Sequence, residues 1–325
     1  MQGFSEEFRD IKDFILKITY QIWEEKGINK IRDWYGKNAP VYTPVSISRD
    51  VENVVSSTLA TLHMFPDRIL LGEEVIAKEY DDGVFYSSHR ILSTMTHMGE
   101  GTFGSPSFKP VKTRTIADCV CKDEVIIEEW MVRDQSAIVK DIGLCPEEFG
   151  RALGKSMLEH KTLLDAQEYV NIWKGGPVSK EPQNISKEIA SGMEDILVHG
   201  NINRVFTLHD RAAYSYMPQS VHLNGTDEIA KYFTSLSVCF SEASFEVHHY
   251  IEEANEPNQI ALRWTLSGKH SGFGLYKSPC GEPITIMAMS HFEIRNGKIY
   301  RAFHIFDELS IWAQIAAHEI KKQMK

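Results

Sequence analysis

The stretch Gly297 to Ile315, GKIYRAFHIFDELSIWAQI, decides how this chain is read. It leaves a tight turn, runs as a strand to Asp307 and passes straight into a helix. The same pattern occurs at Glu124 to Ile142, EVIIEEWMVRDQSAIVKDI. The two copies align without a gap at an offset of 307 − 134 = 173. Ile299 then falls on Ile126, Phe303 on Trp130, Ile305 on Val132 and Ile311 on Ile138. Apolar positions are kept while surface positions change, as expected of two copies of one folding unit.

The offset holds upstream, placing His270 on His97, Gly272 on Gly99, Tyr276 on Phe103 and Pro283 on Pro110. Near the start of each copy it drifts by one, pairing Tyr216-Met217-Pro218 with Tyr42-Thr43-Pro44. A period this long means tandem domains rather than a solenoid. The expected division is 1–144, a connecting helix and linker over 145–182, and 183–325.

Composition narrows the function. The net charge is −10 and no Lys/Arg-rich run occurs, which argues against nucleic acid as a partner. No apolar run approaches the ~20 residues of a membrane span, so no membrane partner is expected. The first residues, MQGFSEEFRD, are acidic where a secretory signal is basic. The five cysteines are odd in number and form no CxxC, which reads as free thiols in a reducing, cytoplasmic compartment. There is no metal-ligand spacing, phosphate loop, nucleophile elbow or dinucleotide fingerprint, so no metal and no cofactor are expected.

Each copy begins with helices. Phe4, Phe8, Ile11, Ile15, Ile18 and Ile22 make one apolar stripe, predicting a helix over 4–26. Asp50 suits the N-cap of another. Then come four strands, at Ile69–Tyr80, Gly83–His97, Val111–Lys122 and Val125–Asp134, and a closing helix at Ser136–Ile142. Leu144 to Trp173 suits a connecting helix. Helices on one face of a curved antiparallel sheet make an α+β fold.

Strand alternation assigns faces. Leu262, Trp264, Leu266 and His270 share an apolar face that meets the helices. Arg263, like Arg90, is expected to point outward. Asp307 shares parity with Ile299, Phe303 and Ile305, and Asp134 with Ile126, Trp130 and Val132. A carboxylate ending an apolar face is poorly hydrated, a setting that suits a general base. An Asp before a helix is more often a cap, and the roles are compatible. Its neighbours depend on the turn Arg295-Asn296-Gly297-Lys298. A two-residue loop brings Ile286, Ala288 and Ser290 beside Asp307, whereas a bulged loop brings Met287, Met289 and His291. In the second case His291, matched by Asp118, gives each copy another titratable group.

These residues resemble a family. Glu129-Trp130 with Arg133-Asp134, the segment Gly268-Lys269-His270-Ser271-Gly272, and Asn296-Gly297-Lys298-Ile299 are similar to the SnoaL-like polyketide cyclases (ester cyclases), within the nuclear transport factor two-like fold. The resemblance implies two tandem cone-shaped α+β barrels, each with a deep apolar pocket between helix and sheet. It implies that Asp134 and Asp307 act as general bases; from the imidazoles on the inward faces, His97 or His270 is then expected to hold an enolate oxygen. Trp130, Phe303, Trp264, His291, Asp118, Tyr42 and Tyr216 are the expected substrate contacts. A small apolar carbonyl compound or ester is the expected partner. Family members pair through their sheets, so an internal pseudo-dimer is expected, with Ile127 and Met131 facing Tyr300 and Phe306, and a homodimer is open. The rival reading is a small-molecule binding protein without turnover.

Overall fold

A computed structural model describes residues 1–177, 184–252 and 258–324, and the chain divides into two units, Met1–Leu144 and Cys145–Lys325. The expected linker at 180–184 falls almost wholly outside the described residues.

In the first unit, α1 (Ile11–Trp23), α2 (Ile31–Trp34), β1 (Val41–Tyr42), β2 (Ile47–Ser48) and α3 (Val51–Met64) precede a meander. The meander is β3 (Ile69–Glu79), β4 (Phe85–Thr96), β5 (Pro110–Lys122) and β6 (Val125–Arg133), and α4 (Gln135–Asp141) closes the unit. The first helix is shorter than its apolar stripe because Asp10 caps it, accepting from the Asp13 N–H. Asp50 caps α3 in the same way.

The second unit opens with α5 (Pro146–Glu159) and α6 (Ala166–Trp173). It then repeats the plan: α7 (Asn184–Leu197), α8 (Asn203–Leu208), β7 (His209–Met217), β8 (Val221–Asn224), α9 (Thr226–Ser237), β9 (Phe240–Glu252), β10 (Gln259–His270), β11 (Pro283–Arg295), β12 (Lys298–Phe306) and α10 (Glu308–Gln323). The expected single connecting helix is two, because Asp165 and Glu168 form a capping box that starts a new one.

Each unit holds a six-stranded sheet, ordered β2-β1-β6-β5-β4-β3 and β8-β7-β12-β11-β10-β9. The sheets are mixed rather than antiparallel, since β1 runs parallel to β6 and β7 parallel to β12.

Both terminal hairpins have a two-residue turn, Asp123–Glu124 and Asn296–Gly297, with φ of 49° and 65°, and 51° and 70°. The bulge comes later, inside the last strand. Pairing jumps from Ile126 to Glu128 in β6 and from Ile299 to Arg301 in β12, leaving Ile127 and Tyr300 as the extra residues. They are again 300 − 127 = 173 apart. A bulge reverses parity beyond it. Ile126 and Ile299 face the helices, and so do Glu129, Met131, Ala302, His304 and Phe306. Trp130, Val132, Phe303 and Ile305 therefore lie on the far face, which corrects the shared face read from alternation. Phe306, expected outward, belongs to the core of the second unit.

The far face of the second sheet is also covered. Arg263, expected in solvent, is 1% exposed. Its guanidinium donates to the carbonyls of Trp173 and Gly175, both at 2.7 Å. The Trp173 indole donates to the Ala288 carbonyl at 3.3 Å. Thus α6 lies across β10 and β11.

Helix α5 packs tightly on α10. A Cβ on Gly154 would stand 2.3 Å from the Ala313 carbonyl oxygen. Gly154→Ala should destabilise the protein by about 1–3 kcal/mol through overpacking, despite alanine's better helix propensity. Urea denaturation measures it; an unchanged or raised midpoint would show that α5 and α10 separate freely.

Candidate functional site

The face reversal sorts the expected residues into two groups. His97, His270 and Trp264 face the helices. Trp130, Phe303, Asp118, His291, Tyr42 and Tyr216 lie on the far faces, where they do meet: Trp130 pairs with Asp118 and Tyr42, and Phe303 with His291 and Tyr216. Tyr42 stacks on Trp130 with centroids 5.7 Å apart, and Tyr216 on Phe303 at 6.5 Å. Asp118 accepts from the Tyr86 hydroxyl and from Ser88 Oγ, each at 2.5 Å.

Asp134 and Asp307 are buried, at 0% and 1% exposure. Both cap a helix: Asp134 Oδ1 accepts from the Ala137 N–H and Asp307 Oδ1 from the Leu309 N–H, at 3.0 Å in each case. Asp307 follows Phe306, the partner of Ala288, so it stands level with Met287 and Thr265. His270 is five residues further along β10 than Thr265, about 16 Å along the strand.

The two matched histidines share one hydrogen-bonding pattern. His97 Nδ1 accepts from the Ser107 N–H and His270 Nδ1 from the Cys280 N–H, both at 3.3 Å. Each ring thus carries its proton on Nε2, which has no hydrogen-bond partner among the described residues. Burial lowers the His270 pKa. The glycine following each histidine is held against the preceding helix end. A Cβ on Gly99 would lie 2.0 Å from the His63 carbonyl oxygen, and one on Gly272 1.7 Å from that of Val238.

Inside the second unit lies a chain that strand alternation alone did not disclose. The Trp264 indole donates to Ser290 Oγ, and Ser290 Oγ bonds His304 Nδ1, both at 2.9 Å. The serine could accept from both, but it has no other acceptor for its own proton among the described residues, so that proton is used only when it goes to the imidazole. In that arrangement His304, 2% exposed, carries its proton on Nε2, which has no partner among the described residues. Burial draws its pKa down to about 3, with the charge of nearby His209 adding to the effect. His209 is the opposite tautomer: Nδ1 donates to the Val205 carbonyl at 3.0 Å, leaving Nε2 as a bare lone pair. Burial lowers its pKa to about 4. It also lines a groove of about 520 Å³ with Phe206, Arg211, Thr226 and Lys298. Further along, Glu308 accepts from Gln219 Nε2 at 2.6 Å and helps push the pKa of buried Tyr276 up. His304 and Glu308 fall in the quoted stretch; what hid them was the bulge at Tyr300.

The first unit hides a different group, Glu129. It is buried on the helix-facing side and accepts from the Tyr35 hydroxyl at 2.7 Å. Burial raises its pKa to about 7, against the opposing effects of Tyr35 and Arg133. Among the described residues no cluster suits a metal ion, and no helix is long and apolar enough to cross a membrane.

The model of the SnoaL-like polyketide cyclase family matches residues 187–315. The match lies within the second unit, and the first unit repeats its strand order. Among solved structures, the chain is similar to IdmH, a putative polyketide cyclase from Streptomyces antibioticus, at 18% identity over 41% of this chain and 98% of that one, TM-score 0.36. It is similar to a putative SnoaL-like polyketide cyclase from Jannaschia sp. at 14% identity over 43% and 99%, TM-score 0.36. TsrD from Streptomyces laurentii is similar at 14% identity over 42% and 99%, TM-score 0.37. No curated protein matches this sequence.

A raised carboxylate pKa carries a defined pH signature. Between the ordinary glutamate value and about 7 the folded state holds a proton that the unfolded chain has lost. The part of the stability that comes from Glu129 should fall by about 3 kcal/mol as pH rises through that window, then level off, while the buried histidines with lowered pKa act in the opposite direction. In denaturant titrations from pH 4.5 to 8 the native chain should lose this much relative to Glu129→Gln, the histidine contribution cancelling between the two. The same slope in both would remove Glu129 as its source.

Proposed function

We propose that the protein is a cyclase-like enzyme whose second unit enolises a small, mostly apolar carbonyl compound. The family match over residues 187–315 supports the reaction class. The observation that carries the assignment is the Trp264–Ser290–His304 chain, which leaves a neutral imidazole with a buried, unpartnered N–H. In this reading a substrate carbonyl accepts that N–H, a donor set before the substrate arrives. His209 Nε2 removes the proton from the adjacent carbon. The C–H electron pair moves to the oxygen, and His304 Nε2–H holds the resulting enolate. The enolate carbon then attacks a second carbonyl of the same molecule, and the new alkoxide takes the proton back from His209. Atoms balance, and the product is an isomer of the substrate.

Asp134 and Asp307, the bases implied by the resemblance, serve as helix caps in this assignment. A second reading, ligand binding without turnover, is favoured by that capping, since both carboxylates already accept a helix N–H.

Exchange of α-protons in a small aryl ketone such as a tetralone, followed by NMR in D₂O, separates these readings. The native chain should accelerate exchange, with a rate flat from about pH 5 upward and falling below about pH 4, because His209 is disabled on protonation. His209→Ala and His304→Ala should each lower the rate about 10²-fold or more. No acceleration by the native chain leaves the binding reading. Loss of exchange in Asp307→Asn alone, with both histidine variants active, returns the base to the aspartate.

A further inference from the structure

The two units differ most on the surface they have in common. On the helix-facing side of the second sheet stand Leu262, Leu266, Ile286 and Phe306, all buried in the core. At the offset of 173 their counterparts in the first unit are His89, Ser93, Thr113 and Arg133. At these four positions the second unit is apolar and the first carries hydrogen-bonding groups. Several of these, His89 Nε2, Ser87 Oγ and Thr115 Oγ1, have no partner among the described residues. Buried polar atoms are nearly always satisfied, and an orphaned set points to something that fills the space between them.

At the centre is Arg68, 2% exposed. It follows Phe65, the ring beside His97, by three residues. Phe240 holds that place beside His270, and the residue three further on is Ala243. The arginine is therefore particular to the first unit. Its guanidinium lies over the Trp23 ring, 4.4 Å from the centroid. One hydrogen bond holds it, from Nη2 to Ser93 Oγ at 3.2 Å, while Nε and Nη1 have no partner among the described residues. Among those residues no carboxylate comes within ion-pair distance of it. Glu24 is near enough to be felt: its Oε1 accepts the Leu70 N–H at 2.6 Å, and its buried Oε2 makes no hydrogen bond to the guanidinium. Arg133 adds a second positive charge nearby. Beside Trp23 the cluster of Ile22, Ile31, Val51 and Val55 supplies apolar wall.

We propose that the interior of the first unit binds a small molecule with a carboxylate on an apolar body, the carboxylate seated on Arg68. A guanidinium offers a planar fork that two carboxylate oxygens match, and a buried fork with two idle N–H groups is built for that geometry. The apolar body would lie along Trp23 and the aliphatic cluster. This site is independent of His209 and His304.

Calorimetry and thermal melting of the full chain with octanoate and with octanamide test it, since the two differ in charge but scarcely in shape. Octanoate should bind at least tenfold more tightly and raise Tm, and Arg68→Met should bind both alike. Arg68→Lys keeps the charge without the fork and should lose about tenfold for octanoate, which serves if the methionine variant does not fold. His304→Ala should bind octanoate as the native chain does, which keeps this result separate from the enolisation proposal. Equal or absent binding of the two probes, or full octanoate affinity in Arg68→Lys, overturns the proposal.

Discussion

One extra residue in the last strand of each sheet governs what the interiors contain. Ile127 and Tyr300 have no partner across the ladder, and beyond them every side chain changes face. Without the bulge, Glu129 and His304 would lie on the far side and Trp130 and Phe303 among the helices. With it, each strand delivers one titratable group inward past an apolar residue at its start. The cost is an irregular ladder close to the turn, where the two-residue loops have already fixed the register.

That delivery gives the units different chemistry. In the second, the inward group is an imidazole whose tautomer is set by a serine, itself oriented by an indole that can only donate. Burial keeps the ring neutral, so the donor at Nε2 belongs to an uncharged group and carries no desolvation penalty for a full charge. In the first unit the inward group is a carboxylate, and the same burial acts in the other direction, raising the pKa of Glu129 to about 7. The buried Arg68 shares that interior. A duplicated fold has thus diverged by substituting the sheet's inner surface while its turns, bulge and strand order stay in place.

The supporting frame is also uneven. Helices α5 and α6 belong to the second unit, where α5 meets α10 through the contact at Gly154 and α6 supplies carbonyls to Arg263. A sheet with both faces covered has no wet side, which is why an arginine on its far face had to find backbone acceptors.

The sequence by itself determined the duplication, the order of elements, the caps at Asp50, Asp134 and Asp307, and the likeness to the cyclase family. These rest on local signals: periodicity, turn residues and a constant offset. Only the tertiary structure decided which side chains share an interior. A bulge of one residue leaves the hydrophobic pattern almost unchanged, because the residues on both faces of these strands are apolar, and so alternation could not reveal the reversal. Arg68, Ser290 and His304 became candidates only through their neighbours. Their character comes from burial and from partners distant in the chain, and neither is written in local spacing.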